Sequence, residues 1–442
     1  MALNTQTEFI VSLFLLLATA LLAGELAIRL GQVAMVGQLI TGVILGPYLL
    51  GPFYGVTVHT GVSPSLTAVQ FLATFLILFM AGMEMGPTDI YGMKLGTFLT
   101  GVAVFLIPFG SCIAVGYFVF PGISVLLLLF IAVTLSITAL PVMAIMVSEL
   151  GLTGSSLGRR AMTVALVNEL AAITVFAILL QIYSGGGHPT AFSLGIALGS
   201  VALFLGVVLV AHQVLVALHK RGGWKSLATS ASLGIRYRDA GFAILMVLAL
   251  GAALLSQALG LTFVIGAFYA GILVTPESVG ENAYQSVRSI LNVVCWGLFI
   301  PLFFAITGLQ VNLTVFLSLA GLGTLLALFA VAALAKIGAG AAATKVQGWE
   351  APDALAFGFM VNSRGAVEIA MAVILLGDGI LNSRLFTIVV AVGMAATILA
   401  PIGAIRSWKL TAKSREELVR RMPNLAPKGA ASSVPPGIAG PP

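Results

Sequence analysis

Apolar runs of about 20 residues recur along this 442-residue chain, and they set the terms for everything else. In the hydrocarbon of a bilayer, only a helix or a closed barrel satisfies every backbone N–H and C=O. At 1.5 Å per residue, about 20 residues cross it as a helix. The runs fall at about 8–28, 33–51, 66–86, 95–118, 123–148, 160–183, 190–218, 240–258, 260–275, 290–309, 313–344, 353–376 and 384–406. They predict an all-α polytopic membrane protein of about thirteen spans. Hydrophobic residues make up 60% of the chain and charged residues 8%, against roughly 25% charged in a soluble domain. A water-soluble fold of this length has no interior large enough for that surplus. The net charge of +6 does not mark a nucleic-acid partner, because the basic residues lie between apolar runs and follow membrane topology instead. The two cysteines, Cys112 and Cys295, sit inside apolar runs and form neither a disulfide framework nor a metal cluster. No cofactor-binding loop is evident.

The charges also orient the chain. With the N-terminus outside, all but three of the 21 Lys and Arg fall in inside loops or the tail, a strong positive-inside pattern. The exceptions are Arg384, outside, and Lys336 and Arg364, within spans. The C-terminus is then cytoplasmic. Residues 1–406 read as one transmembrane domain. Residues 407–442 read as a short, basic, Pro/Gly-rich tail without the apolar content to fold. The stretch from Lys220 to Asp239 is the longest inside connection and the expected hinge between two halves.

An internal repeat supports those halves, about 8–218 and 240–406. The second span carries "GQLITGVILGP" (Gly37 to Pro47) and the ninth "GAFYAGILVTP" (Gly266 to Pro276), with the glycines and proline at identical spacing. The spans that follow end in "LFMAGMEM" and "FFAITGLQV". An offset of seven spans is odd, so the second copy inserts upside down. Inverted repeats of this kind build secondary transporters with a midplane site.

Four charges lie deep inside spans: Glu169, Lys336, Arg364 and Glu368. Each costs at least about 2.5–3.5 kcal/mol at the bilayer centre unless compensated. Glu169 is about eleven residues into the sixth span, roughly 16 Å along it. Lys336 stands at a similar depth in the eleventh, so the two are expected to pair. Such a carboxylate is either half of a structural ion pair or a functional group. Two spans look broken. The fifth holds "SITALPV", with Ser136, Thr138 and Pro141; the twelfth holds "VNSRGAVE", with Asn362 to Glu368. Their positions also differ by seven. Paired discontinuous helices leave carbonyls and helix ends at mid-depth, where charges such as Arg364 and Glu368 compensate the dipoles. Glu25, Glu84, Glu149 and Asp353 sit near span ends, as solvated anchors or as a cytoplasmic funnel for cations.

In order along the chain, "VGQLITGVILGPYLLG", "FLILFMAGMEM", "LSITALPVMAIMVSELGL", "NEL", "GAFYAGIL", "PLFFAITGLQVNL", "AKIGAGAAATKVQGW" and "GFMVNSRGAVEIAMAVI" resemble the monovalent cation:proton antiporters of the Kef-like second branch. The resemblance runs from about Val36 to Val373. It implies crossed discontinuous fifth and twelfth spans, a homodimer, elevator-like alternating access and no enzymatic chemistry. It further implies that Glu169, beside Asn168, binds Na⁺ or K⁺ and H⁺ in turn. Thr138, Ser136 and backbone carbonyls would supply further oxygen ligands, while Lys336, Arg364 and Glu368 compensate charge. Glutamate replaces the family's aspartate at the site. Asn168 cannot ionise, which points to electroneutral exchange. A cation channel and a Na⁺-coupled organic-anion symporter are the rival readings.

Overall fold

The computed structural model describes residues 5–30, 32–50, 62–84, 93–149, 156–186, 190–220 and 240–421. The expected hinge at 221–239 lies outside the described residues. In chain order the helices are α1 (Thr5–Arg29), α2 (Ala34–Leu45), α3 (Pro64–Met83), α4 (Leu95–Val119), α5 (Val125–Thr134), α6 (Leu140–Glu149), α7 (Ser156–Ser184), α8 (Ala191–Lys220), α9 (Ala240–Ala258) and α10 (Phe263–Leu273). The short α11 (Pro276–Val279) and α12 (Glu281–Val294) then lead through a π-helical turn, Cys295–Phe299, into α13 (Ile300–Leu309). The chain closes with α14 (Leu319–Val346), α15 (Ala351–Val361), α16 (Ala366–Gly377) and α17 (Ser383–Arg421). Among the described residues, nine helices are long and apolar enough to cross a membrane, and four shorter apolar helices accompany them. Among the described residues, every apolar run read from the sequence contains a helix.

Local chemistry fixes several starts. Ser63 caps α3 by accepting from the Leu66 N–H at 3.3 Å, with Pro64 at the first helical position. Ser124 does the same for α5 through the Leu127 N–H at 3.2 Å, and Ser318 for α14 through Gly321 at 3.0 Å. Each cap satisfies an N–H that the first turn leaves unpaired.

Two boundaries differ from expectation. The tenth span begins earlier, because α12 runs from Glu281. Its exposed Glu281, Gln285 and Arg288 hide it from a hydropathy reading, while Val287 and Leu291, one turn apart, are buried. At the far end, α17 continues past 406 to Arg421, so the beginning of the expected disordered tail is helical. Hydrophobicity ends at Ser407, but "WKLTAKSREELVRR" keeps strong helix formers and Glu–Arg spacing of i, i+4.

The repeated motifs meet at crossings free of side chains. α2 packs on α13, and α3 on α10. A Cβ on Gly42 would collide with the Ala305 carbonyl and sit 2.8 Å from the Gly308 Cα. A Cβ on Gly82 would collide with the Phe268 carbonyl and sit 3.1 Å from the Gly271 Cα. Gly42 and Gly271 are equivalent positions of the two quoted motifs. Close backbone approach through small residues is how helices associate in lipid.

Both expected breaks are present. α5 ends at Thr134 and α6 starts at Leu140; α15 ends at Val361 and α16 starts at Ala366. The two interruptions touch: the Ala139 N–H donates to the Ser363 carbonyl at 3.1 Å, and the Thr138 hydroxyl donates to the Val361 carbonyl at 2.9 Å.

Candidate functional site

Unwinding a helix inside a membrane exposes the last carbonyls of one half and the first N–H groups of the next. Here side chains from other spans meet both ends of the first break. Asn168 on α7 accepts from the Thr138 N–H at 2.6 Å and donates to the Ser136 carbonyl at 3.2 Å. One carboxamide thus bridges the donor and the acceptor that the break frees. Its neighbour Glu169 accepts from the Leu140 N–H at 3.1 Å, at the positive end of α6. Lys336 on α14 donates from Nζ to the Ser136 carbonyl, beside the negative end of α5. Asn168, Glu169 and Lys336 are all fully buried.

This arrangement corrects the expected Glu169–Lys336 pair. Among the described residues the ion pairs are Arg29–Glu25 and Arg364–Glu368. Glu169 and Lys336 stand at similar depth, but each serves an opposite half-helix end.

Glu169 is a fully buried acid with no ion pair among the described residues. Its Oε2 is anchored to Leu140, while its Oε1 is buried with no hydrogen-bond partner in the protein. A buried carboxylate oxygen without a donor is costly unless a proton or a cation joins it. Asn168 has its carboxamide committed to the backbone. The Ser136 hydroxyl donates back to the Ala132 carbonyl at 2.6 Å, and that of Thr138 to Val361. Ser136 and Thr138 therefore stand in the stretch that Asn168 bridges, but their hydroxyl protons are spent. What they retain for a cation is oxygen lone pairs, the ligand type that hard monovalent ions prefer.

The second break compensates itself. Arg364 Nη1 donates to Glu368 Oε1 at 3.0 Å, both side chains buried. Glu368 lies in the first turn of α16, where a negative charge suits the helix dipole. The Thr397 hydroxyl on α17 donates to the Arg364 carbonyl at 3.0 Å. Gly393, one turn earlier, leaves the room that Glu368 occupies: a Cβ there would sit 3.0 Å from Oε1. Arg364 Nε and Nη2, Glu368 Oε2, the Ser363 hydroxyl and the Asn362 carboxamide have no protein partner. A void of about 10 Å³ adjoins Glu368, Gly365 and Thr397, about the room of one water. Thr397 and Gly393 were invisible to sequence reasoning, since a lone Thr or Gly in a span carries no signal.

Just beyond the end of α3, Glu84 is neither a simple solvated anchor nor an ion-paired one. Its Oε2 is buried without a partner. Burial pushes its carboxyl up to about 7, against the opposing pull of Arg288. It is also the acidic residue whose charge acts on Glu169. The Tyr284 hydroxyl ties α12 to the neighbouring Met83 carbonyl at 3.3 Å. Glu25, by contrast, is exposed and paired with Arg29 at 2.9 Å.

A family described as "Sodium/hydrogen exchanger, transmembrane" matches residues 14–406. Cation/H(+) antiporter 18 of Arabidopsis thaliana is 28% identical over 396 residues, 88% of this chain and 47% of its own length. The Na(+)/H(+) antiporter NhaS4 of Synechocystis is 25% identical over 417 residues, 90% of this chain and 96% of its own. K(+)/H(+) antiporter 1 of Saccharomyces cerevisiae is 26% identical over 83% of this chain and 42% of its own length. This chain thus spans about half the length of some curated relatives. Among solved structures, the sodium proton antiporter MjNhaP1 of Methanocaldococcus jannaschii superposes with a TM-score of 0.63 at 15% identity, covering 91% of this chain and 98% of that one.

Proposed function

The chain belongs to the transmembrane sodium/hydrogen exchanger family, and from that premise we propose that it exchanges a monovalent cation, Na⁺ or K⁺, for H⁺ across the membrane. The observation that carries the reading is Glu169: fully buried, held by one oxygen at the N-terminus of α6, with no protein donor on the other. A proton neutralises that oxygen; so does a dehydrated cation, with carbonyls and lone pairs of the 135–139 stretch around it. The two guests compete for one oxygen. If only the occupied site changes its access from one face to the other, the competition becomes coupled exchange. No covalent chemistry is needed, and the family is one of transporters. Asn168 carries no charge, so one carboxylate handles one cation or one proton, and the exchange is electroneutral. Asn168 holds the break open, Lys336 and Glu169 compensate its two ends, and Arg364 with Glu368 neutralise the second break.

The names of the relatives support Na⁺ or K⁺ as cargo. The Gly42–Gly308 and Gly82–Gly271 crossings support two inverted repeats, at about 8–218 and 240–406, with the discontinuous spans crossing between them. The distribution of Lys and Arg supports an outside N-terminus and a cytoplasmic tail from 407. A homodimer follows from the family resemblance.

The test is purified protein in liposomes with an internal pH dye, challenged with Na⁺, K⁺ and Li⁺ with and without a clamped voltage. Exchange insensitive to the clamp is expected. Cation flux that ignores a pH gradient would establish a channel. Na⁺ uptake that requires an organic anion would establish a symporter.

A further inference from the structure

A further cavity has no residue of either break in its lining. It measures about 680 Å³ and opens between α4, α7, α8 and α10. Its lining is apolar, with its polar groups set apart. The Thr174 and Tyr269 hydroxyls bond to each other at 3.2 Å within the lining. His212 on α8 faces the cavity with a buried Nδ1 that has no partner. The lining along α4 and its lead-in runs from Met93 to Leu106, about 20 Å of chain against a half-bilayer of about 15 Å. At its foot stands Lys94, exposed, on the same helical stripe as Phe98, Val102 and Phe105. No acidic residue lines the cavity.

We propose that this cavity binds one acyl chain of an anionic glycerophospholipid, with the phosphate held by Lys94 and His212. The volume suits a chain of that kind, within the roughly 300–1,000 Å³ of small-molecule sites. Phe98, Leu106 and Leu209 are 47%, 53% and 57% exposed, so the cavity opens sideways to lipid rather than to water. The polar groups at the foot and the apolar walls above match a headgroup and its tail. The cationic foot selects a negative headgroup over a zwitterionic one. A free phosphate ion satisfies the foot but not the walls.

The position gives the lipid a regulatory role, which rests on the exchange reading. Val167 and Leu170 of the cavity wall flank Asn168 and Glu169 on α7. A chain seated between α7 and the opposing α8 and α10 links the helix of the candidate ion site to helices across the cavity. Occupancy therefore sets the exchange rate.

Native mass spectrometry of the detergent-purified protein, titrated with phosphatidylglycerol or phosphatidylcholine, tests binding. Wild type should retain one phosphatidylglycerol at least tenfold more tightly than phosphatidylcholine. Lys94→Gln should erase that preference. Ala171→Phe and, separately, Val208→Trp should fill the cavity and lose the bound lipid. Lys94→Gln alters an exposed side chain, so it decides the matter if the filling variants fold poorly. In liposomes, the wild-type exchange rate should change with the phosphatidylglycerol fraction, and the rate of the filled variants should not. Wild type without a retained lipid, or filled variants that keep it with unchanged headgroup preference, would overturn the proposal. Lipid capture in a protein that shows no exchange would uphold the cavity and remove the antiport reading instead.

Discussion

The two breaks solve one electrostatic problem in opposite ways. At 362–365 the charges come from the break's own strand of chain: Arg364 and Glu368 are four residues apart and bonded at 3.0 Å. At 135–139 the compensating groups come from elsewhere, Asn168 and Glu169 from α7 and Lys336 from α14. The first solution is closed, since the carboxylate already has its cation. The second is open, since Glu169 has a backbone N–H and nothing positive within ion-pair distance among the described residues. A carboxylate with a permanent guanidinium has no use for a passing cation; one without it does. The difference supports the proposed roles, Glu169 as the exchanging acid and Glu368 as framework.

That contrast can be broken by exchanging roles. The largest effect is expected at Glu169→Gln. Its amide oxygen still accepts from Leu140, so the melting temperature stays near wild type while exchange in liposomes falls to the rate of protein-free vesicles. Normal exchange would show that Glu169 is framework too. Glu368→Gln should behave in the opposite sense. It strands a buried guanidinium and costs about 3–5 kcal/mol of stability, read as a lower midpoint of thermal unfolding in detergent. A variant as stable as wild type would show that the pair does not hold the second break. Lys336→Ala removes a donor from a carbonyl that keeps Asn168, so about 1–3 kcal/mol is expected, with the Na⁺/K⁺ preference unchanged. If neither the melting temperature nor the pH profile moves, Lys336 does not compensate α5.

The smallest effect concerns Glu84, which sharpens the comparison without breaking it. With its carboxyl near 7, Glu84 is neutral below that pH and negative above it. A negative charge in reach of Glu169 favours a cation there. The KM for cation should therefore fall as pH rises through about 7, and Glu84→Gln should remove that component while leaving the maximal rate. Equal KM shifts in wild type and variant between pH 6 and pH 8 would dismiss the coupling.

Much of this was legible from the residues alone. Apolar length located every span, and proline or a polar cluster located both breaks, because lipid leaves the backbone so few options. Glu169, Lys336, Arg364 and Glu368 stood out by the cost of their charge. Their partnerships did not. Residue counts along a helix give depth, but the direction a side chain faces is set by packing, so equal depth suggested a Glu169–Lys336 bond that the fold does not make. Asn168 was read as an ion ligand; its carboxamide also ties the Ser136 carbonyl to the Thr138 N–H, a bridge that residue counts do not reveal. Only the length and path of the unwound stretch decide that. α12 was missed for a different reason: hydropathy detects burial in lipid, not helicity.

Asn168 carries one more implication. By gripping the backbone on both sides of Ile137, its amide fastens the unwound stretch without help from any passenger. Under the proposed exchange, successive guests at Glu169 would meet a mould already cast. In that exchange, loading and unloading would not re-form the backbone each time, and the cost of a turnover would fall on stripping water from the ion and on moving the helices that carry it.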